Sequence, residues 1–388
     1  MYFKKITMAL TGLALCASGA MAGGLDDIDP KVRERLYNPA MLDPAQPIEA
    51  SIYKDFVAKN PPPWKIGYAS SYAGNTWRAG AMEQLQKVII PKWKKLGLIS
   101  EVVVTQSNLK DATQIQQMRQ LVDQGVDAII VCCSNPTALN QTVKYAYDKG
   151  VPTFSLTGYL TSKYAINSSV NYQLAGFEIG KWMANEIKGK GNVLVVEGIP
   201  GTSASDSQDR GVKAGLATAP GIKVVGSIAG MWTDQVAQGE VQKWLSTHPG
   251  KLDGVVVQSA AEMGVLRALK QSGRPNVPVA IGGELGALCH WRRNPDYISS
   301  AIQTWPPQDE MELIWDIMMR TLQGQGPKVQ SVMVDPVTVT FDDLKKVMGK
   351  DCNPNTPNWL AVGKDRWGGS AFLDGFFYKP ADPTKYKR

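Results

Sequence analysis

From Trp64 onward, short apolar runs alternate with stretches whose apolar residues recur at helical spacing. The runs rich in β-branched residues read as strands and the amphipathic stretches as helices. The pattern predicts strands at 65–70, 102–105, 128–133 and 152–156, with helices at 76–96, 111–124 and 136–148. The unit then restarts. Helix 172–188 leads to strand 192–197, a helix near 208–218 to strand 223–228, and helix 235–246 to strand 254–258. Helix 260–271 leads to strand 277–282, and a last strand occupies 299–304. A helix at 308–323 and a strand at 331–340 follow. Continuous apolar strands separated by helices imply parallel sheets covered on both faces. The expected fold is therefore α/β, two doubly wound parallel-sheet lobes joined by a hinge. Sheets of this kind bind ligands beyond the carboxyl ends of their strands, which here face a crevice between the lobes.

The flanks break the pattern. Residues 23–63 are rich in Pro and Asp, with one short helical stretch near 51–59, and read as an extension lying on the surface. Residues 350–388 look irregular. The expected organisation is a leader at 1–22, an N-terminal extension at 23–63 and a tail at 351–388. Between them, one lobe takes 64–168 plus 305–334, and the other takes 169–304 plus 335–350.

The leader has a pattern of its own. Lys4 and Lys5 precede an apolar run at 6–17, and Ala20-Met21-Ala22 ends it in small-x-small form. That describes a secretory signal peptide cleaved before Gly23. The run is shorter than the roughly 20 residues a membrane span requires, which disfavours the alternative of an uncleaved anchor. Leu15 stands directly before Cys16, which disfavours a lipid-anchored form. The expected location is the periplasm.

Charge and cysteines narrow the function classes. The formal net charge of +7 falls when Lys4 and Lys5 leave, and part of the remainder sits at Lys379, Lys385, Lys387 and Arg388. No dense basic patch is interleaved with aromatics, so no nucleic-acid partner is expected. His248 and His290 are the only histidines, and Cys132-Cys133 is not a C-x-x-C pair. No metal and no cofactor is expected, and both cysteines read as buried small residues. In an oxidising compartment Cys289 and Cys352 are either bridged or free, because sequence does not set their Cα separation. There is no H-E-x-x-H, G-x-S-x-G or G-x-x-x-x-G-K-[ST] spacing. These absences favour a binding protein over an enzyme. The loop from Gly198 to Ser203 has a phosphate-loop character but no lysine in register, and a tight turn into a helix is its other reading. Paired carboxylates for glycoside hydrolysis stay open, since their separation is spatial.

Four segments, in order, carry a resemblance: Ser70-Ser71-Tyr72-Ala73-Gly74-Asn75-Thr76-Trp77; Asn135-Pro136-Thr137; Gly198-Ile199-Pro200-Gly201-Thr202-Ser203-Ala204 with Asp209-Arg210-Gly211; and Leu266-Arg267-Ala268-Leu269. The chain resembles the periplasmic sugar-binding proteins of ABC importers, of the ribose-binding, type I periplasmic binding protein kind, over about Trp64 to Asp343. Repressors sharing this fold begin with a helix-turn-helix, whereas this chain begins with an export signal.

The resemblance implies ligand residues on the strand-end loops. Asn75 matches a hydroxyl-binding asparagine, and Trp77 an aromatic wall or, alternatively, a buried helix-start residue. Asn135 matches a further asparagine or caps the helix opened by Pro136. Arg210 matches an arginine that clamps ligand oxygens, or else makes a surface ion pair. Trp232 matches the second aromatic wall, Gln258 a polar residue at a strand end, and Glu284 the acidic residue after Gly282-Gly283. Gln303 or Thr304 falls near a last glutamine. Two positions depart from the pattern. Thr157-Gly158 stands where the family has an Asp-Arg pair, and Arg78 stands where a second aromatic is expected. Ribose is therefore disfavoured, and a different sugar, a polyol, or a sugar acid neutralised by Arg78 and Arg210 is implied.

The implied partners are a small polar solute and an ABC permease in the inner membrane, for a monomer hinged near 168–171, 304–305 and 335–336. A periplasmic sensor presenting its bound state to a membrane receptor is the alternative, followed by an exported carbohydrate-active enzyme.

Overall fold

The computed structural model describes residues 23–132, 135–294, 299–304, 306–361 and 368–379. The leader, Cys133, Trp305 (at one expected hinge) and the charges at Lys385, Lys387 and Arg388 lie outside them, as do the side chains of Gln303 and Thr304. No described helix is long and apolar enough to cross a membrane.

Twelve strands form two sheets among the described residues: β1 (Trp64–Ser70), β2 (Ile99–Gln106), β3 (Ala128–Cys132), β4 (Thr153–Leu156), β5 (Ala165–Val170), β6 (Lys190–Glu197), β7 (Gly221–Ala229), β8 (Gly254–Val257), β9 (Val279–Ile281), β10 (Ser299–Thr304), β11 (Ser331–Val334) and β12 (Val337–Val339). The first sheet runs β11-β5-β4-β3-β1-β2, with every pair parallel. The second runs β12-β10-β9-β8-β6-β7, parallel except for β12 against β10. The fold is thus α/β with two lobes. The chain passes between sheets after Val170, between Thr304 and Pro307, and between Val334 and Val337.

The elements follow from their sequences, with instructive exceptions. β3, β4 and β8 are buried at every position, as parallel strands covered on both faces must be. The expected helix 76–96 is helical throughout but divided by a π-turn at Leu85–Ile89. Pro91 has no N–H and would crowd the carbonyl four residues back, which loosens that turn. The expected strand 331–340 is two strands in different sheets, split at Asp335-Pro336. β5 carries no strand signature because its centre, Asn167-Ser168-Ser169, is small and polar. Its Asn167 amide is buried and paired with the Leu160 backbone, N–H at 2.9 Å and carbonyl at 3.2 Å.

The N-terminal extension is not a surface appendage. Its helix is Pro30–Leu36, capped by Asp29, while 51–59 forms turns. Leu36, Tyr37, Leu42 and Tyr53 are buried in the first lobe's core cluster. Tyr37 donates its hydroxyl to the Ser331 carbonyl at 2.6 Å and accepts the Met333 N–H at 3.1 Å. Ala50 bridges Val329, so the segment covers the free edge of β11. Burying that edge removes an exposed pairing template.

The tail is also fixed. Cys289 and Cys352 are bridged, with Cα atoms 5.8 Å apart, which anchors it to helix Leu285–Arg293. Further on, Arg320 pairs with Asp374 at 2.7 Å, placing helix Ser370–Asp374 on the first lobe. Cys132 is buried and unbridged.

Candidate ligand cleft

A cleft lies between the lobes. Its walls are the loops beyond β1, β4, β6, β7 and β8, at the carboxyl ends of both sheets. Helices Thr76–Gln84, Tyr172–Glu186 and Ser203–Leu216 begin at it. Their caps Asn75, Asn171 and Thr202 accept the N–H groups of Arg78, Leu174 and Ser205. The positive ends of three helix dipoles therefore converge on the space, which suits oxygen-rich or anionic ligands.

The backbone around the cleft is held in unusual conformations. Of eight non-glycine residues with positive φ among those described, Leu109, Thr157, Trp232, Ser259 and Ala260 line it. Each such residue costs of order 1–3 kcal/mol and persists only where the surroundings fix it, a pattern typical of binding sites. Trp232 owes its place to Gly198, since a methyl there would stand 2.1 Å from the indole. Helices Tyr172–Glu186 and Ser203–Leu216 cross on glycine, and a methyl at Gly176 would lie 2.1 Å from the Gln208 carbonyl oxygen. That close crossing sets Gln208 at the cleft.

The sequence-derived residues do not all share one place. Asn75, Trp77, Arg78, Thr157 and Trp232 line the cleft together. Trp77 from the first lobe and Trp232 from the second both supply aromatic surface to it. Arg78 donates to the Thr157 hydroxyl at 3.2 Å, so the two departures from the family pattern touch. Glu284 lies apart from the main space and lines an adjoining recess shared with Asn75, Trp232 and Ala260.

Three residues are elsewhere. Arg210 is turned to Asp43 of the N-terminal segment, whose carboxylate also takes the Ser207 hydroxyl and, at 2.7 Å, that of Tyr159. Asp43 is 5 % exposed, so Arg210 is engaged in an ion pair with a buried carboxylate and not at the cleft. Gln258 is fully buried. It accepts the Gly198 N–H and Ser205 hydroxyl, each at 2.9 Å, and donates to the Ser205 carbonyl at 3.1 Å, tying two cleft loops from behind. Asn135 accepts the Thr137 and Ala138 N–H groups at 3.0 and 3.1 Å, closing a turn and not capping the expected helix, which begins only at Asn140 because residues 136–139 are spent on that turn. Gln303 lies on β10, with its side chain outside the described residues.

Sequence reasoning missed Tyr72, Tyr172, Ser203, Gln208 and Trp359, which all line the cleft. Tyr72 and Ser203 sit inside the motifs quoted above, so a closer reading of those loops could have found them. Gln208 is 1 % exposed, and its amide nitrogen is buried without a partner in the chain. A buried donor left so is satisfied by ligand or water.

Among the described residues, Arg78 is the only charged side chain that lines the cleft. Behind it Glu310 is buried with both carboxyl oxygens unpaired, and burial pushes its pKa up to about 8 against the pull of Arg78. Glu310 is therefore mostly protonated at neutral pH and leaves the guanidinium charge uncancelled.

Residues 66–326 match the model of the periplasmic binding protein domain. The chain belongs to the periplasmic binding protein family. A xylitol-binding protein of Mycolicibacterium smegmatis is 32 % identical over 250 residues, 63 % of this chain and 70 % of that one. A galactofuranose-binding protein of Escherichia coli is 26 % identical over 229 residues, 57 % and 70 % of the two chains. An ABC transporter solute-binding protein from Thermobispora bispora superposes with a TM-score of 0.71 at 23 % identity, covering 80 % of this chain and 94 % of its own. A Caulobacter myo-inositol-binding protein gives 0.65 at 18 % identity, covering 74 % and 97 %. The relatives and the fold are those of periplasmic binding proteins rather than enzymes.

Proposed function

We propose that this periplasmic binding protein is an exported, monomeric component of an ABC importer. It captures a small sugar, polyol or sugar acid between its lobes, closes by rotation at the three crossings, and presents the closed form to a permease. The observation that carries this reading is the cleft itself, faced by Trp77 and Trp232 from opposite lobes with Arg78 beneath. Indole faces bury the C–H surface of a polyol ring or chain, while Arg78, Gln208 and the helix N-termini address its oxygens. With Arg210 held by Asp43, one cation and no carboxylate line the space among the described residues, which supports a ligand rich in acceptors, including a sugar acid with one carboxylate.

Native mass spectrometry of protein purified without added solute tests the reading by naming any co-purified molecule. Intrinsic tryptophan fluorescence should change on adding at least one of xylitol, D-ribose, D-xylose, myo-inositol or D-gluconate. No retained molecule and no response to any of these overturns it.

A further inference from the structure

We propose that Trp359, delivered by the C-terminal tail, is a third tryptophan wall of the cleft and determines which solutes the closed protein accepts. This inference rests on the cleft being the solute site. Trp359 lies beyond the stretch that matches the family, which ends at residue 326, so it adds to the family framework.

The main chain of the tail belongs to the second lobe. Leu285 N–H reaches the Asn358 carbonyl at 2.8 Å and Leu360 N–H the Gly283 carbonyl at 2.9 Å, forming an antiparallel bridge at Glu284 and Trp359. Arg292 and Arg293 donate to the carbonyls of Met348 and Lys350 at 2.9 and 3.0 Å, and the Cys289–Cys352 disulfide clamps the segment between them. A methyl on Gly286 would meet the Pro354 carbonyl oxygen at 2.8 Å, so helix and tail are in close contact.

The ring belongs to the other side. Trp359 is 3 % exposed and packs in the buried cluster that contains Trp77 of the first lobe. Its indole N–H donates at 3.1 Å to the hydroxyl of Thr76, at the start of the first-lobe helix that carries Trp77 and Arg78. One residue is thus fastened by its backbone to one lobe and by its ring to the other, while lining the space between them. Opening the lobes must break the Thr76 bond or drag the ring from its cluster. The wall is complete only when the cleft is shut, so it acts on solute retention and on the shape admitted.

Calorimetric titration of the full mature protein with xylitol, D-ribose, D-xylose, myo-inositol and D-gluconate tests this. Trp359→Ala should weaken binding of the preferred probe by about tenfold, the scale of one lost aromatic contact, and change the order of preference. Thr76→Val keeps the ring but removes its acceptor. It should weaken the same probe by about threefold, mainly through faster release. If Trp359→Ala does not fold, Thr76→Val decides alone. Wild-type silence towards every probe overturns the reading of the cleft and this inference with it. Wild-type binding that both variants share undiminished overturns this inference alone, as does uniform weakening with an unchanged order of preference.

Discussion

Two segments outside the repeated α/β units each join both lobes, and they do so at opposite ends of the proposed closing motion. The N-terminal segment grips the pivot. Asn171, at one crossing, donates to the Leu36 carbonyl at 2.9 Å, and Arg35 pairs with Asp335 at another crossing and with Glu178 beyond it. The tail grips the mouth, through Trp359 and Thr76. Near a hinge axis a rotation displaces atoms little, so bonds there can survive opening and closing. At the mouth the same rotation moves atoms far, and bonds there must be made and broken. On the hinge motion proposed above, an added segment at the pivot stabilises the fold, and one at the mouth governs exchange of solute.

Three experiments would break or sharpen that division. The largest effect is expected from Tyr37→Ala, which empties a buried site in the N-terminal segment and orphans the Ser331 carbonyl and Met333 N–H. Unfolding free energy should fall by about 3–4 kcal/mol in denaturant titrations while solute preference stays unchanged. A change in preference would show that the pivot segment also shapes the site. Next, Asp43→Asn keeps the shape but removes the charge shared by Arg210, Ser207 and Tyr159. Because Arg210 is 45 % exposed, the loss should be about 1–2 kcal/mol, smaller than for a fully buried ion pair. Release rates should hardly move.

The smallest effect is a pH dependence confined to the mouth. Burial raises the Glu284 carboxyl above its ordinary range, with Glu262 and Asp234 adding to the rise and Thr76 and Arg267 opposing it. A carboxyl whose pKa is raised in the closed fold keeps a proton there that it loses when exposed. Closure is then favoured at low pH and weakens as pH climbs from the ordinary carboxyl range through the raised value. Solute release should quicken about threefold between pH 6 and 9, and Glu284→Gln should flatten the profile. An equal slope in Glu284→Gln would assign the effect elsewhere, Glu310 being the next group to test.

The fold was legible because its strands announce themselves. β3 and β8 are unbroken apolar runs, and helices at regular spacing imply their parallel arrangement. β5 was not legible, because polar residues buried with their partners look like a loop in one dimension. At the site, Trp77, Arg78 and Trp232 could be read from motifs beside strand ends. Arg210 and Gln208 show the limit of that reasoning. They are two residues apart on one helix, which turns them to different faces, so one meets Asp43 and the other the cleft. Neither Asp43 nor Trp359 could be placed from sequence, since Asp43 meets Tyr159, Ser207 and Arg210, and the Trp359 ring meets Thr76, only through tertiary packing across more than a hundred residues.

The two added segments also meet each other. The Tyr378 hydroxyl donates to Asp27 at 2.6 Å, and the Lys328 ammonium joins the Asp27 and Gly375 carbonyls at 3.0 and 2.8 Å. Spliced at that seam with a short peptide and reopened on a distant surface loop, the polypeptide would become a circular permutant with its frame intact. Such a permutant offers a place to insert a fluorescent reporter whose brightness follows the solute.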